Sequence, residues 1–314
     1  EAGALAAAKA IRAINPTTRV LYYRNVIVHY GGYAANESLS GIPGAFLVDR
    51  GGNDRLVRGR VQAYDLTNER VRGWWLANAS EVCGDPAIGG LFLDGAVKVL
   101  EPDYLLGEIG AEKKAALVRG YAAMMEDARR ILGPGKLMLA NVLRARFPDS
   151  GMSRLRAFDG SYIEGFEGAV GNVPLKDYVA KGIAAFQDAA RRGFVIAFTA
   201  GLGEEVRDET RNRHSTDEIR KAVILTETAQ RRISYLLAVF LICAERHSYF
   251  CAHDGYDAKT SGVWMTRPPE FDRPLGAPRG PAVREGYAYS REFEHASVRL
   301  DLEKQTGEIA WRSP

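Results

Sequence analysis

Gly90–Leu91–Phe92–Leu93–Asp94–Gly95 decides the fold. Three large apolar side chains follow one another without polar alternation, which describes a short strand buried on both faces. The carboxylate and glycine that follow mark where the strand gives way to a loop. Strands covered on both sides occur where helices flank a parallel sheet, so the neighbouring segments should be helical. Upstream, Asn68–Cys83 has helical spacing through Val71, Trp74, Trp75 and Val82. Downstream, Glu112–Leu132 is a long amphipathic pattern that Gly133–Pro134–Gly135 ends.

Further outward the alternation repeats. Lys136–Val142, Tyr162–Phe166, Phe194–Ala200 and Ser248–Ala252 read as short apolar strands. Between them lie a short helix at Arg154–Ala157 and longer ones at Leu175–Arg192 and about Thr216 to Ala244. Towards the start, Ala2–Ile14 reads as a helix packed through Leu5, Ile11 and Ile14 and stopped by Asn15–Pro16, and Val20–Asn25 is a strand. Ala45–Asp49 is a short strand or a loop edge, and Gln62–Asp65 leads towards the next helix. This is the order of an α/β chain of the (β/α)8 TIM barrel type. Six strands are clear where a barrel needs eight, and the chain opens directly in a helix, so the first barrel strand is expected to precede Glu1. The alternative is a doubly wound open sheet, but no glycine-rich dinucleotide fingerprint follows an early strand. Residues 1–265 are therefore expected to form the barrel. Residues 266–314 are expected to form a Pro/Gly-rich connector and a β-hairpin packed on it, with Gly286–Leu300 and Thr306–Trp311 as its arms.

Composition narrows the function. The chain has 314 residues, with 42 basic against 39 acidic side chains. Arg129–Arg130, Arg191–Arg192 and Arg231–Arg232 fall in helical patterns that also carry acidic residues, so no basic nucleic-acid face is expected. The apolar run Ile233–Ala244 is too short for a membrane span. Cys83, Cys243 and Cys251 lack thiolate-metal spacing and read as buried free thiols, with a Cys243–Cys251 bridge as the other reading. His29, His214, His247 and His295 complete no close-spaced metal motif, and neither a serine elbow nor a phosphate loop is present. No cofactor or metal is expected. A first residue other than Met is consistent with a processed or trimmed chain. Processing would suit an extracellular or periplasmic protein, without deciding the compartment. Oligomeric state is left open.

Asp94 and Glu164, in Ser161–Tyr162–Ile163–Glu164–Gly165–Phe166, both stand at predicted strand ends. In a barrel the carboxyl ends of different strands converge, so positions far apart in sequence can share one pocket. Two carboxyl groups there suit glycosidic cleavage: one attacks or stabilises the anomeric carbon, and the other protonates the departing oxygen. A helix cap and a salt bridge are the structural readings of the same two residues.

These two segments combine with Leu275–Gly276–Ala277–Pro278–Arg279–Gly280–Pro281–Ala282 and the stretch Tyr289–Ser290–Arg291–Glu292–Phe293–Glu294–His295–Ala296–Ser297–Val298. Together they resemble bacterial glycoside hydrolases of the hypothetical glycosyl hydrolase family 15 over nearly the whole chain. The resemblance implies a barrel that hydrolyses an oligosaccharide or polysaccharide. By likeness to retaining glycosidase barrels, it implies Asp94 as nucleophile after strand four and Glu164 as acid/base after strand six. Carboxyl groups about 5–5.5 Å apart would favour retention, and about 6.5–9.5 Å inversion. The different-class alternative is a non-catalytic carbohydrate-binding barrel.

The supporting pocket is expected to draw on Tyr22 and Asn25 at the end of the early strand, Asp49, Trp74 and Trp75 as sugar-stacking rings, Asn141, Tyr162, His253 and Asp254. Arg24 lies beside the first two on that strand. Glu167 stands in reserve as the acid, and Glu204 and Glu205 are further sugar contacts. Each has a competing role: core packing for the tryptophans and loop hydrogen bonding for the polar residues.

Overall fold

A computed structural model describes residues 1–166, 168, 172–201, 227–252 and 268–312. The chain divides into two compact units, Glu1–Val142 with Leu155–Asp159, and Leu143–Arg154 with Gly160–Pro314.

The first unit runs α1 (Ala2–Ile14), β1 (Val20–Asn25), α2 (Asn36–Leu39), α3 (Glu69–Gly84), β2 (Ile88–Asp94), α4 (Ala96–Leu100), α5 (Leu106–Ile109), α6 (Ala111–Leu132) and β3 (Leu137–Ala140). Its three strands are parallel: Asn25 stands level with Asp94, and Leu93 with Ala140. Leu91 and Leu93 are fully buried, as expected of a strand covered on both sides. Asn68 caps α3, its side-chain oxygen accepting from the Arg70 amide at 3.0 Å. The cap fixes where the helix starts, and hence which face of it carries the fully buried Trp75.

One expectation changes here. Helix α1 buries only Ala8, while Ile11 and Ile14 are 41% and 88% exposed. The apolar stripe is there, but among the described residues little packs over its last turn. Gln62–Asp65 does precede the next helix, the amide of the α3 cap Asn68 donating to Asp65 O at 3.0 Å. The segment pairs with the chain after β1 and with 45–47, the Tyr64 amide donating to Ile27 O and the Asp65 amide to Ala45 O. Those bonds satisfy backbone groups in a segment that has no ladder of its own.

After α7 (Met152–Leu155), the second unit holds β4 (Gly160–Glu164), α8 (Leu175–Arg191), β5 (Val195–Ala200), α9 (Glu227–Cys243) and β6 (Ser248–Ala252). A 3-10 turn at Pro269–Asp272 precedes β7 (Val283–Glu285), β8 (Ala288–Glu292), β9 (Ala296–Asp301) and β10 (Thr306–Trp311). Strands β4, β5 and β6 are parallel neighbours. Phe198 of β5 meets Phe186 of α8 and Phe240 of α9, each at 5.4 Å between ring centroids and close to perpendicular. Burying such a ring contributes about 2–3 kcal/mol, so this face of the sheet is committed to the helices.

The tail is an antiparallel four-stranded sheet in the order β10-β9-β8-β7, which packs on α9. The single arm expected over Gly286–Leu300 is two strands. The chain reverses at Phe293–His295, where the Phe293 amide donates to Ala296 O at 2.8 Å. The side-chain alternation slips by one residue at the reversal, Tyr289, Arg291 and Phe293 being buried before it and Ala296, Val298 and Leu300 after it. No helix among the described residues is long and apolar enough to cross a membrane. The predicted helical residues before Glu227 lie outside the described residues.

Candidate active site

The strand ends of the first unit gather a polar row. Asp94 receives three hydrogen bonds: from the Tyr23 hydroxyl at 2.9 Å, the Asn25 amide nitrogen at 3.2 Å and the Gly95 backbone amide at 2.7 Å. Asn25 is buried, and its oxygen accepts from the amides of Ile27 and Val28 at 3.0 and 2.7 Å. With that oxygen so engaged, the side-chain NH2 must be the end that faces Asp94. Burial, the Asp94 charge and the hydrogen bond to it push the Tyr23 phenol well above its usual range, so Tyr23 remains a donor. Asn141 extends the row at the end of β3: its amide donates to Leu93 O at 3.1 Å, and its buried side-chain oxygen has no hydrogen-bond partner among the described residues.

Gly95 makes the arrangement fit. Its φ is +79°, and a Cβ there would lie 2.6 Å from the Asn25 side-chain oxygen.

The second unit presents Glu164 at the end of β4, where the Arg144 guanidinium stands 3.8 Å from its carboxylate. Two residues earlier on the same face, burial raises the Tyr162 phenol to about 12, the Thr199 hydroxyl opposing and the Glu164 charge adding to the effect. The carboxylate is 38% exposed, open enough to meet a ligand.

The other expected residues fall differently. Tyr22 points to the helix side of β1, donating to the Asn78 side-chain oxygen at 3.1 Å. Arg24 shares that side, buried with its charge 4.7, 5.2 and 5.6 Å from the ring centres of Tyr33, Trp74 and Trp75. Trp74 donates to Ala35 O and Trp75 to Asn25 O, at 2.9 and 3.1 Å. Asp49 accepts from the Gly51 and Asn53 amides in an exposed turn, which lowers its carboxyl pKa. His253, Asp254, Glu167, Glu204, Glu205 and His214 lie outside the described residues. Reasoning from sequence named Tyr22 and missed Tyr23; the two-residue period of a strand, which puts Tyr23 and Asn25 on one face, was the signal that finds it. Arg144 had no such signal, because it sits in a loop.

All three cysteines are free thiols, with Cys83 and Cys243 buried but Cys251 exposed. Among the described residues, no three His, Cys, Asp or Glu side chains converge to hold a metal ion.

The family profile described as hypothetical glycosyl hydrolase family 15 matches residues 12–297. The chain belongs to that family. No curated protein matches this family member in sequence. Among solved structures, it is similar to a noncanonic maltogenic α-amylase from Thermotoga neapolitana (12% identity, TM-score 0.50, covering 93% of this chain and 67% of that one). It is also similar to an α-amylase from Geobacillus thermoleovorans complexed with acarbose (12% identity, TM-score 0.47, 94% and 68%). A third match is a GH36 α-galactosidase from Geobacillus stearothermophilus in complex with 1-deoxygalactonojirimycin (12% identity, TM-score 0.49, 93% and 37%). This glycosyl hydrolase family member thus spans about two thirds of the two amylases and about a third of the galactosidase. At such identity the likeness to the Thermotoga enzyme is one of fold.

Proposed function

We propose that this chain is the greater part of a (β/α)8 barrel that hydrolyses a glycosidic bond in an oligosaccharide or polysaccharide by a retaining mechanism. Asp94 is the nucleophile and Glu164 the acid/base. The observation that carries the reading is Asp94 at the carboxyl end of a parallel strand, oriented by Tyr23, Asn25 and the Gly95 amide, in a member of a glycosyl hydrolase family.

The chemistry follows from what each group can do. The Asp94 carboxylate attacks the anomeric carbon and forms a glycosyl ester as the glycosidic C–O bond breaks. Glu164 gives its proton to the departing oxygen, then takes one from the water that cleaves the ester and releases Asp94. Tyr23 and Asn25 both donate to one Asp94 oxygen and leave the other to the Gly95 amide and the substrate. The Arg144 guanidinium positions Glu164. Asn141, with its unpartnered side-chain oxygen, is a candidate acceptor for a sugar hydroxyl. The reaction needs no redox cofactor.

The test is turnover on a panel of α- and β-linked glucose and galactose oligosaccharides. Asp94→Asn and Glu164→Gln should each lower kcat by roughly 1,000-fold or more while thermal melting stays near that of the wild type. Wild-type turnover in both variants would reject the assignment. Sugar binding by the wild-type protein with no product on the whole panel would instead favour a carbohydrate-binding barrel. The anomer first released, read by proton NMR, distinguishes retention from inversion.

A further inference from the structure

Among the described residues, strand β1 pairs only with β2. The Val26 amide donates to Asp94 O at 2.9 Å, so the even-numbered backbone groups of this strand face β2. Carbonyls two residues apart point to the same edge, which leaves those of Tyr23 and Asn25 on the free one, in need of partners other than a strand. Two aromatic side chains supply them. The Tyr33 hydroxyl, from the loop after β1, donates to Tyr23 O at 3.2 Å, and the Trp75 indole nitrogen, from α3, donates to Asn25 O at 3.1 Å. Tyr23 and Asn25 are also the two residues whose side chains hold Asp94.

Arg24 lies between them in the chain and touches both rings. Its guanidinium carbon is 4.7 Å from the Tyr33 ring centre and 5.6 Å from that of Trp75, with Trp74 at 5.2 Å. Only 1% of the residue is exposed, and no carboxylate or carbonyl accepts from its nitrogens among the described residues. Burial pushes the neighbouring Tyr22 phenol well above its usual range, against the opposing Arg24 charge, so that phenol is neutral and does not offset the charge. A buried cation without an anion is costly, and an apolar side chain of similar length would pack there at less cost. What an apolar chain lacks is a flat positive group that draws several ring faces onto itself at once.

We infer that Arg24 is a positioning residue for Asp94. It clamps the rings of Tyr33 and Trp75, and the rings fix the Tyr23 and Asn25 carbonyls. The peptides so fixed keep the Tyr23 hydroxyl and the Asn25 amide nitrogen aimed at one oxygen of Asp94. The inference rests on the glycoside hydrolase reading, in which Asp94 is the nucleophile, and adds to it a residue on the helix side of β1 that acts on the carboxylate only through the backbone of the strand.

Arg24→Met removes the charge and keeps most of the volume. On the oligosaccharide cleaved fastest it should lower kcat by roughly 30-fold with KM within about twofold of the wild type. Its urea midpoint should stay level or rise, because the uncompensated charge is gone. Arg24→Lys, which keeps a cation among the rings, should recover part of the rate. The Trp75 indole proton, followed by proton NMR, should exchange with solvent faster in Arg24→Met than in the wild type, a readout that needs no turnover. Tyr33→Phe keeps the ring on Arg24 but frees the Tyr23 carbonyl. It should lower kcat by roughly 5-fold, and adding it to Arg24→Met should slow that variant little further, because both act along one path. Unchanged indole exchange with wild-type kcat in Arg24→Met, or a rate lost only in step with a lower urea midpoint, would overturn the positioning role and leave the hydrolase reading standing. Should Arg24→Met fail to fold, wild-type kcat in Tyr33→Phe would overturn it. A wild-type protein that cleaves no sugar of the panel would remove the hydrolase reading and the positioning role with it.

Discussion

Gly95 shows how one missing side chain holds a site together. Any other residue there would meet the Asn25 oxygen and would have to adopt a φ of +79°. Gly95→Ala should therefore cost about 2 kcal/mol in a urea titration, and should lower turnover further by pushing Asn25 off Asp94. Asp149 offers a second test, through pH. The Ser153 hydroxyl and amide and the Gly151 amide lower its carboxyl pKa to about 2. A carboxyl depressed in the folded state stabilises above its unfolded value, about 3.9, and loses that contribution as pH falls through the folded one. The gap in urea midpoint between the wild type and Asp149→Asn should be constant above about pH 5 and close as pH approaches 2. A gap that widens on acidification would contradict the assignment.

Arg291 joins two elements. From β8 it reaches the last turn of α9, donating to Leu241 O at 3.1 Å and Ala244 O at 2.6 Å, and it pairs with Glu245 at 2.8 Å while being almost fully buried. The carbonyls at a helix end have no partner within the helix, and a guanidinium can serve several of them at once. Arg291→Ala should destabilise the protein by about 3 kcal/mol, because it leaves those carbonyls and the Glu245 carboxylate without their donor. Arg291→Lys should recover only part of it, since a single ammonium lacks the planar fork. Chemical denaturation of the three proteins side by side checks the order. Nearer the start of the same helix, Gly307 of β10 lets the strand approach: a Cβ there would lie 2.6 Å from the Ala238 Cβ.

At the scale of the whole molecule, thiol reactivity measures how well the core is closed. Of three cysteines one is exposed. The native protein should consume one equivalent of Ellman's reagent quickly, and denaturant should release the other two. Burial raises the thiol pKa of Cys83 to about 11, and that of Cys243 further still, so both are slow for electrostatic as well as steric reasons. Fast reaction of all three would mean that the helix-facing core is open.

Much of the fold follows from the sequence. Unbroken apolar runs such as Leu91–Phe92–Leu93 and Val195–Ile196 announce strands covered on both faces, and the 3.6-residue spacing from Glu112 to Leu132 announces the helix between strands. Both are local periodicities, written in neighbouring residues. The same reading placed Asp94 and Glu164 where strands end, and the strand termini in the structure agree. What it could not supply was the company those residues keep. Tyr23 and Asn25 meet Asp94 across 71 and 69 residues of chain, Arg144 meets Glu164 from a loop, and the rings around Arg24 come from a loop and from α3. A contact made across a sheet leaves no period in the chain, because its spacing is set by the loops and helices between the strands. The sequence by itself determined the long helices, the parallel strands and the strand-end positions of Asp94 and Glu164; the tertiary structure decided which side chains surround them.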